Sequence, residues 1–154
     1  MLVLIVEDDK KKAKHLFDHV RRTIPQADIE ERSSYRSGLR EIVDSLPDIV
    51  ILDMSMPTFD VSNRDRGGRT RAYAGRDILE EMQRRKITGK VIVVTQFETF
   101  GEGEERKTLD QLKSELADDF RGTYCGAVYY HPAQSNWQEE LTVLICRISK
   151  DASL

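Results

Sequence analysis

The chain has 154 residues, of which 39% are hydrophobic and 33% are charged, with a formal net charge of −3. This length fits one domain with a hydrophobic core, and the acidic balance argues against a general nucleic-acid-binding surface. No apolar run approaches the roughly 20 residues that cross a bilayer, and the amino terminus lacks the layout of a signal peptide. The two cysteines form no motif, which indicates a reducing, cytoplasmic setting.

Short apolar runs alternate with helical patterns along the chain. The runs predict strands at residues 2–6, 27–32, 48–53, 91–94 and 127–130. Apolar residues at helical spacing predict helices over 13–24, 39–46, 78–82, 109–120 and 141–148. We therefore expect an α/β fold, a doubly wound five-stranded parallel sheet with helices on both faces.

Carboxylates follow the first and third predicted strands. Glu7 and Asp8 end the first apolar run, and Asp53 ends the third. Ligands bind at the carboxyl ends of parallel strands in open α/β sheets, so these acids are expected to meet at one edge. They would repel one another unless a hard cation lay between them, and oxygen ligands suit Mg²⁺. The alternative is a set of solvated strand-end carboxylates.

The order of these features resembles the receiver domain of two-component response regulators, over essentially the whole chain. The matching motifs are Val6-Glu7-Asp8-Asp9, Leu52-Asp53-Met54-Ser55-Met56-Pro57, Thr95 after the fourth strand and Pro132 after the fifth. The resemblance implies a flavodoxin-like fold whose function is controlled by phosphorylation.

The resemblance also implies roles for individual residues. Asp53 would be the phosphoacceptor, and Glu7 and Asp8 would hold Mg²⁺ with it. The backbone carbonyl of Ser55 would complete the metal site, and Thr95 would hydrogen-bond the phosphoryl group. Phosphoryl transfer needs a positioned nucleophile and a cation on the moving oxygens, and Asp53 beside Mg²⁺ would stay ionised.

Position 131 departs from the family, because His131 stands where receivers carry a lysine that contacts the phosphoryl group. A nearby phosphate would favour the charged imidazole. His131 therefore either replaces the lysine in part or only packs at the strand end.

Val128 also replaces the usual switch aromatic, and Gln96 replaces the usual small residue after the threonine. A charge-assisted hydrogen bond contributes about 1.5–3 kcal/mol, whereas a full switch needs about 5.5 kcal/mol. Conventional switching is therefore the weaker expectation and phosphorylation the stronger one.

Two insertions are expected, near residues 61–74 and 97–107. The first separates Asp60 from Gly75, which match the family's Asp-Gly pair. It carries four arginines, Arg64, Arg66, Arg69 and Arg71. It is either a mobile solvated loop or a cationic lid or docking arm that supplies the charge missing at position 131. The second is either a flexible acidic loop or a specialised partner surface.

The first helix begins with a cluster of basic residues. Its lysines are Lys10, Lys11, Lys12 and Lys14. Their pattern indicates a solvated helix face, with Lys10 and Lys11 near enough to the acids to serve as alternative phosphate contacts.

We predict that residues 1–154 form a single stand-alone receiver domain, phosphorylated on Asp53 with Mg²⁺. A histidine kinase or phosphotransfer protein would donate the phosphoryl group, and a downstream effector protein would bind the domain. The alternative is an atypical pseudo-receiver, an interaction module that works without phosphorylation. A phosphohydrolase needs a second acid where Ser55 stands, so no enzyme is expected beyond self-phosphorylation and autodephosphorylation. Neither direct DNA binding nor a membrane is expected.

Overall fold

The computed structural model of the protein describes residues 1–62 and 66–152. Its central sheet contains β1 (Leu2–Val6), β2 (Asp28–Arg32), β3 (Ile49–Leu52), β4 (Lys90–Thr95) and β5 (Tyr124–Tyr129). The five strands lie in the order β2-β1-β3-β4-β5, and every neighbouring pair is parallel. The predicted doubly wound parallel sheet is confirmed.

Helices connect the strands and cover both faces of the sheet. They are α1 (Lys10–Thr23), α2 (Tyr35–Ser45), α3 (Ala74–Arg84), α4 (Leu109–Asp119) and α5 (Asn136–Ala152). Buried side chains of α1 and α5 form one core with the sheet, and those of α2, α3 and α4 form the other. Among the described residues, no helix combines the length and the apolar character that crossing a membrane requires.

The described part of the first insertion differs from the expected solvated loop. Met56–Pro57 pairs antiparallel with Thr70–Arg71, and the Phe59 N–H donates to the Gly67 carbonyl at 2.9 Å. We call residues 56–62 and 66–71 the arginine hairpin. Gly67 and Gly68, on the returning arm, take φ values of +88° and +66°, a backbone conformation that residues with a side chain disfavour.

The second insertion also folds back on itself. Thr99–Phe100 pairs antiparallel with Lys107–Thr108, and a short 3₁₀ turn covers Gly103–Glu105. We call residues 99–108 the acidic hairpin. The second insertion therefore has local hairpin structure, and its flexibility stays a prediction.

Tyr73, just before α3, holds the acidic hairpin. Its hydroxyl lies 3.0 Å from the Phe100 carbonyl and 2.6 Å from the Glu105 carbonyl, so its one proton is shared between two acceptors. Lys107 lies over the Tyr73 ring, with its Nζ 5.6 Å from the ring centre. The two insertions thus support each other beside the start of α3.

Candidate functional site: an acidic cluster with a buried lysine

Strand register brings the predicted acids together. Val6 pairs with Leu52 across β1 and β3, so Glu7 and Asp53 leave neighbouring strands side by side. One carboxylate oxygen from each of Glu7, Asp8 and Asp53 lies within 4.8 Å of the others. The expected convergence of these three acids is present.

The three acids differ in burial. Glu7 and Asp53 are each only 4% exposed, whereas Asp8 is exposed. The Met54 N–H donates to Asp53 Oδ1 at 2.7 Å, and the Asp9 N–H donates to Glu7 Oε1 at 3.0 Å. These backbone bonds fix the orientation of both buried carboxylates.

Burial changes the proton affinity of the cluster. It raises the pKa of Glu7 to about 8, although the nearby Lys12 ammonium acts in the opposite direction. Burial also raises the pKa of Asp8, against a hydrogen bond with Glu7. Glu7 Oε2 is buried beside the Lys12 ammonium, which lies 2.5 Å away. The three carboxylates offer only oxygen ligands, which fit a hard divalent cation such as Mg²⁺.

Lys12 lies at the centre of the site, although the sequence predicted a solvated lysine face. Its side chain is 1% exposed, and its Nζ lies 2.5 Å from Glu7 Oε2. The same ammonium donates to Asp53 Oδ2 at 2.9 Å and to the Val94 carbonyl at 2.7 Å. Burial alone would lower the pKa of Lys12, but the carboxylates of Asp53 and Glu7 outweigh it and raise the pKa. The lysine is therefore a buried cation held by three oxygens.

The spacing of Lys12 from the apolar residues of α1 could have predicted its burial. Asp9 caps α1 by accepting the N–H groups of Lys11 and Lys12 at 3.0 and 3.1 Å, which fixes where the helix begins. Lys12 stands four residues before Leu16 and eight before Val20, and all three are buried on one face of α1. Lys10 and Lys11, by contrast, are exposed.

The other predicted residues lie around this edge. Thr95 is fully buried at the end of β4, and its Oγ1 accepts the Phe97 N–H at 3.2 Å. Ser55 is half-buried two residues after Asp53. Since Leu52 pairs with Val93, Asp53 follows the end of β3 beside the end of β4, where Thr95 lies.

His131 makes local contacts. Its Nδ1 accepts the Ala133 N–H at 3.1 Å, the only hydrogen bond of its side chain among the described residues. This bond uses a lone pair that a doubly protonated imidazole would not have.

Gly75 lies directly against the site. Its N–H donates to the Met54 carbonyl at 2.9 Å, and a Cβ at this position would lie 2.8 Å from the Asp53 carbonyl oxygen. Only glycine allows the start of α3 to approach the backbone of Asp53 so closely. Asp60 lies apart from it, accepting a 2.7 Å hydrogen bond from the Ser37 hydroxyl.

The arginines of the first insertion do not act as one group. Arg71 lies 4.0 Å from the centre of the Tyr35 ring and pairs with Asp77 at 3.3 Å. Arg66 and Arg69 are exposed, and Arg64 lies outside the described residues. Arg71 is thus held by α2 and α3, and its contacts do not include Asp53.

Comparisons with known proteins place the chain among relatives of similar length. No family model matches it. It is 37% identical over 140 residues to the uncharacterized protein y4jR of Sinorhizobium fredii, covering 90% of this chain and 92% of that one. It is 29% identical over 143 residues to the Detocs response regulatory protein DtcB of Enterobacter cloacae, covering 92% and 95%.

Solved receiver domains share the fold. A response regulator receiver domain protein from Clostridium thermocellum matches with a TM-score of 0.66 and 19% identity, covering 99% of this chain and 96% of that one. In this chain the carboxyl edge of the sheet gathers Glu7, Asp8 and Asp53. The chain therefore has the fold of response regulator receiver domains and is similar over most of its length to a response regulatory protein.

Proposed function

We propose that this receiver domain accepts a phosphoryl group on Asp53 in a Mg²⁺-dependent reaction and signals by contacting another protein. The convergence of the carboxylates supports the proposal: Asp53 is buried, and its oxygen lies within 4.8 Å of oxygens from Glu7 and Asp8. Buried carboxylates held this close are costly without a cation, and phosphoryl transfer uses such a cation.

The chain contributes to phosphoryl transfer by positioning the reacting groups. A carboxylate oxygen of Asp53 forms a bond to phosphorus while the bond from phosphorus to the donor's histidine nitrogen breaks, and that nitrogen keeps the electron pair. The Met54 N–H holds Asp53 Oδ1 during this step. Mg²⁺, held by Glu7, Asp8, Asp53 and the Ser55 carbonyl, would offset the charge on the transferred oxygens.

Thr95 and His131 are proposed to act after transfer. Thr95 Oγ1 accepts the Phe97 N–H, so its own proton remains available for a phosphoryl oxygen. His131 must give up its bond with the Ala133 N–H before it can carry charge towards the phosphoryl group. Its contribution is therefore proposed to be smaller than that of Thr95.

The partners follow from the family. Receiver domains interact with kinases and effectors in two-component systems. We propose a histidine kinase or phosphotransfer protein as phosphodonor and an effector protein as target, with no enzymatic activity beyond self-phosphorylation and autodephosphorylation.

One observation favours a second candidate, a pseudo-receiver that binds its partner without phosphorylation. Lys12 Nζ contacts both Glu7 and Asp53, and these contacts neutralise part of the charge that would attract Mg²⁺. A permanent internal cation would then stabilise one conformation of the domain.

Intact-mass measurement separates the two candidates. The protein is incubated with acetyl phosphate with and without Mg²⁺, beside Asp53→Asn and the control Asp18→Asn, an exchange of a surface acid paired with Lys14. We expect one added phosphate with Mg²⁺ on the unmodified protein and on Asp18→Asn, and none on Asp53→Asn. No addition to the unmodified protein at saturating Mg²⁺ would support the pseudo-receiver.

A further inference from the structure

Lys12 has the geometry of a cation that is placed for a ligand on Asp53. Its ammonium has three N–H donors, and three oxygens lie within reach at 2.5, 2.7 and 2.9 Å. Two of these oxygens are on Glu7 and Asp53, and the third is the Val94 carbonyl. This carbonyl anchors the lysine to β4, one residue before Thr95.

The side chain is also fixed on its remaining side. Lys12 Nζ lies 5.8 Å from the centre of the Tyr130 ring, and the Tyr130 hydroxyl contacts His15 Nδ1 at 2.6 Å. Trp137 packs on the same ring, with the ring centres 5.1 Å apart. These contacts confine the lysine to the acidic edge of the sheet. Its side chain therefore loses little further conformational freedom when a ligand binds.

Building on the proposed function, we propose that Lys12 is the residue that binds the phosphoryl group on Asp53. The cation thus comes from the first turn of α1, whereas the position before Pro132 carries His131. Phosphorylation replaces the single charge of Asp53 with a group of about −1.5 to −2. The ammonium then transfers its hydrogen bond from Asp53 Oδ2 to a phosphoryl oxygen and keeps its bond with Val94.

This placement assigns different parts of the site to two cations. Asp8 is exposed and makes no ion pair among the described residues, so it is open to Mg²⁺, while Lys12 lies on the buried side of Glu7 and Asp53. Because both cations interact with Glu7 and Asp53, the lysine should weaken Mg²⁺ binding when no phosphoryl group is present. The same lysine should strengthen binding of a phosphoryl group, and these opposite effects are the signature of the proposed role.

Calorimetric titration measures both effects on the full chain. Mg²⁺ alone is the first probe, and beryllofluoride at saturating Mg²⁺ is the second, as an analogue of the phosphoryl group. Lys12→Gln should bind beryllofluoride about tenfold to a hundredfold more weakly, which corresponds to about 1.4–2.8 kcal/mol at 1.4 kcal/mol per factor of ten. Its affinity for Mg²⁺ alone should rise. The control Lys14→Gln, at a lysine of the same helix whose side chain is 74% exposed, should change neither affinity.

Two further variants guard against a folding defect. Lys12→Met keeps the unbranched chain without its charge and should reproduce the result of Lys12→Gln. Lys12→Gln combined with His131→Lys should regain beryllofluoride affinity, because it returns a lysine to the position used elsewhere in the family. Retained Mg²⁺ binding shows in each case that the acidic site has formed.

The outcomes separate this inference from the proposed function. If neither the unmodified protein nor Lys12→Gln binds beryllofluoride, the proposed function fails and the role of Lys12 fails with it. If both bind it equally well, phosphorylation stands and the role of Lys12 is overturned. Weaker beryllofluoride binding together with weaker Mg²⁺ binding would also overturn it, because that pattern indicates general damage to the site.

Discussion

Lysine–carboxylate pairs in two regions of this molecule differ in burial and therefore in their effect on stability. At the acidic edge, Lys12 and its partners Glu7 and Asp53 have side chains only 1–4% exposed. In the acidic hairpin, Lys107 pairs with Glu115 at 2.6 Å, but their side chains are 32% and 38% exposed. Water solvates the second pair in the folded and the unfolded chain alike. Only the first pair commits the fold to one arrangement of charges.

Titratable acids show the same contrast. Burial raises the pKa of Glu7 to about 8, so ionising it without a cation costs stability. Asp60, at the base of the arginine hairpin, is exposed, and the hydroxyls of Ser34 and Ser37 lower its pKa. The buried region therefore depends on a cation, whereas the hairpin region depends on hydrogen bonds.

The largest expected effect on stability comes from removing the charge of Lys12, and removing the charge of Lys107 is the comparison. Lys12→Met should lower the free energy of unfolding by about 3 kcal/mol in EDTA, because it leaves buried carboxylates without their cation. Lys107→Met should lower it by less than about 1 kcal/mol, as expected for a solvated pair. Urea unfolding of both variants beside the unmodified protein measures the difference.

Magnesium sharpens this comparison. Adding Mg²⁺ should restore much of the stability lost in Lys12→Met, since a divalent ion can replace the missing charge between Glu7 and Asp53. It should leave the effect of Lys107→Met unchanged. Equal losses for the two lysines in EDTA would show that burial does not distinguish the two regions.

The sequence predicted the acidic edge well for a simple reason. Buried parallel strands are short apolar runs, and the residues that follow them meet at one edge whatever the intervening loops do. Glu7, Asp8 and Asp53 could be assigned in this way. Lys12 was missed because lysine is seldom fully buried without a partner, and its partners lie 41 and 82 residues away along the chain for Asp53 and Val94. Its spacing from Leu16 was the available signal.

The hairpins were harder to predict. Their paired strands are two residues long, too short to show alternation of apolar and polar side chains. Each pairing rests on backbone hydrogen bonds. The acidic hairpin is also held by Tyr73, whose acceptors Phe100 and Glu105 lie 27 and 32 residues further on. Composition alone therefore indicated solvated loops at both insertions.

Tyr73→Phe tests whether one hydroxyl holds the acidic hairpin beside the start of α3. Losing it should cost about 1 kcal/mol of unfolding free energy, because two backbone carbonyls lose their shared donor. Amide hydrogen exchange should accelerate in residues 99–108, and β1 and β3 should keep their protection. Tyr129→Phe is the matched control, since the Tyr129 hydroxyl makes no hydrogen bond to the described residues. Unchanged exchange in the acidic hairpin would show that Lys107 and backbone pairing suffice to hold it.

The smallest expected effect is the contribution of the Asp60 carboxylate to the free energy of unfolding, which should decrease at acidic pH. Hydrogen bonds from Ser34 and Ser37 lower its pKa below the ordinary 3.8, so near pH 3.8 the unfolded chain binds more protons than the folded one. Its stabilisation is therefore complete well above pH 3.8 and is lost as pH falls through the lower, folded-state pKa. Urea unfolding from pH 6 to pH 3 should show Asp60→Asn less stable than the unmodified protein at pH 6, with the gap closing below about pH 3.8. A gap that stayed constant with pH would mean that the carboxylate charge of Asp60 contributes nothing to the arginine hairpin, and that its shape alone matters there.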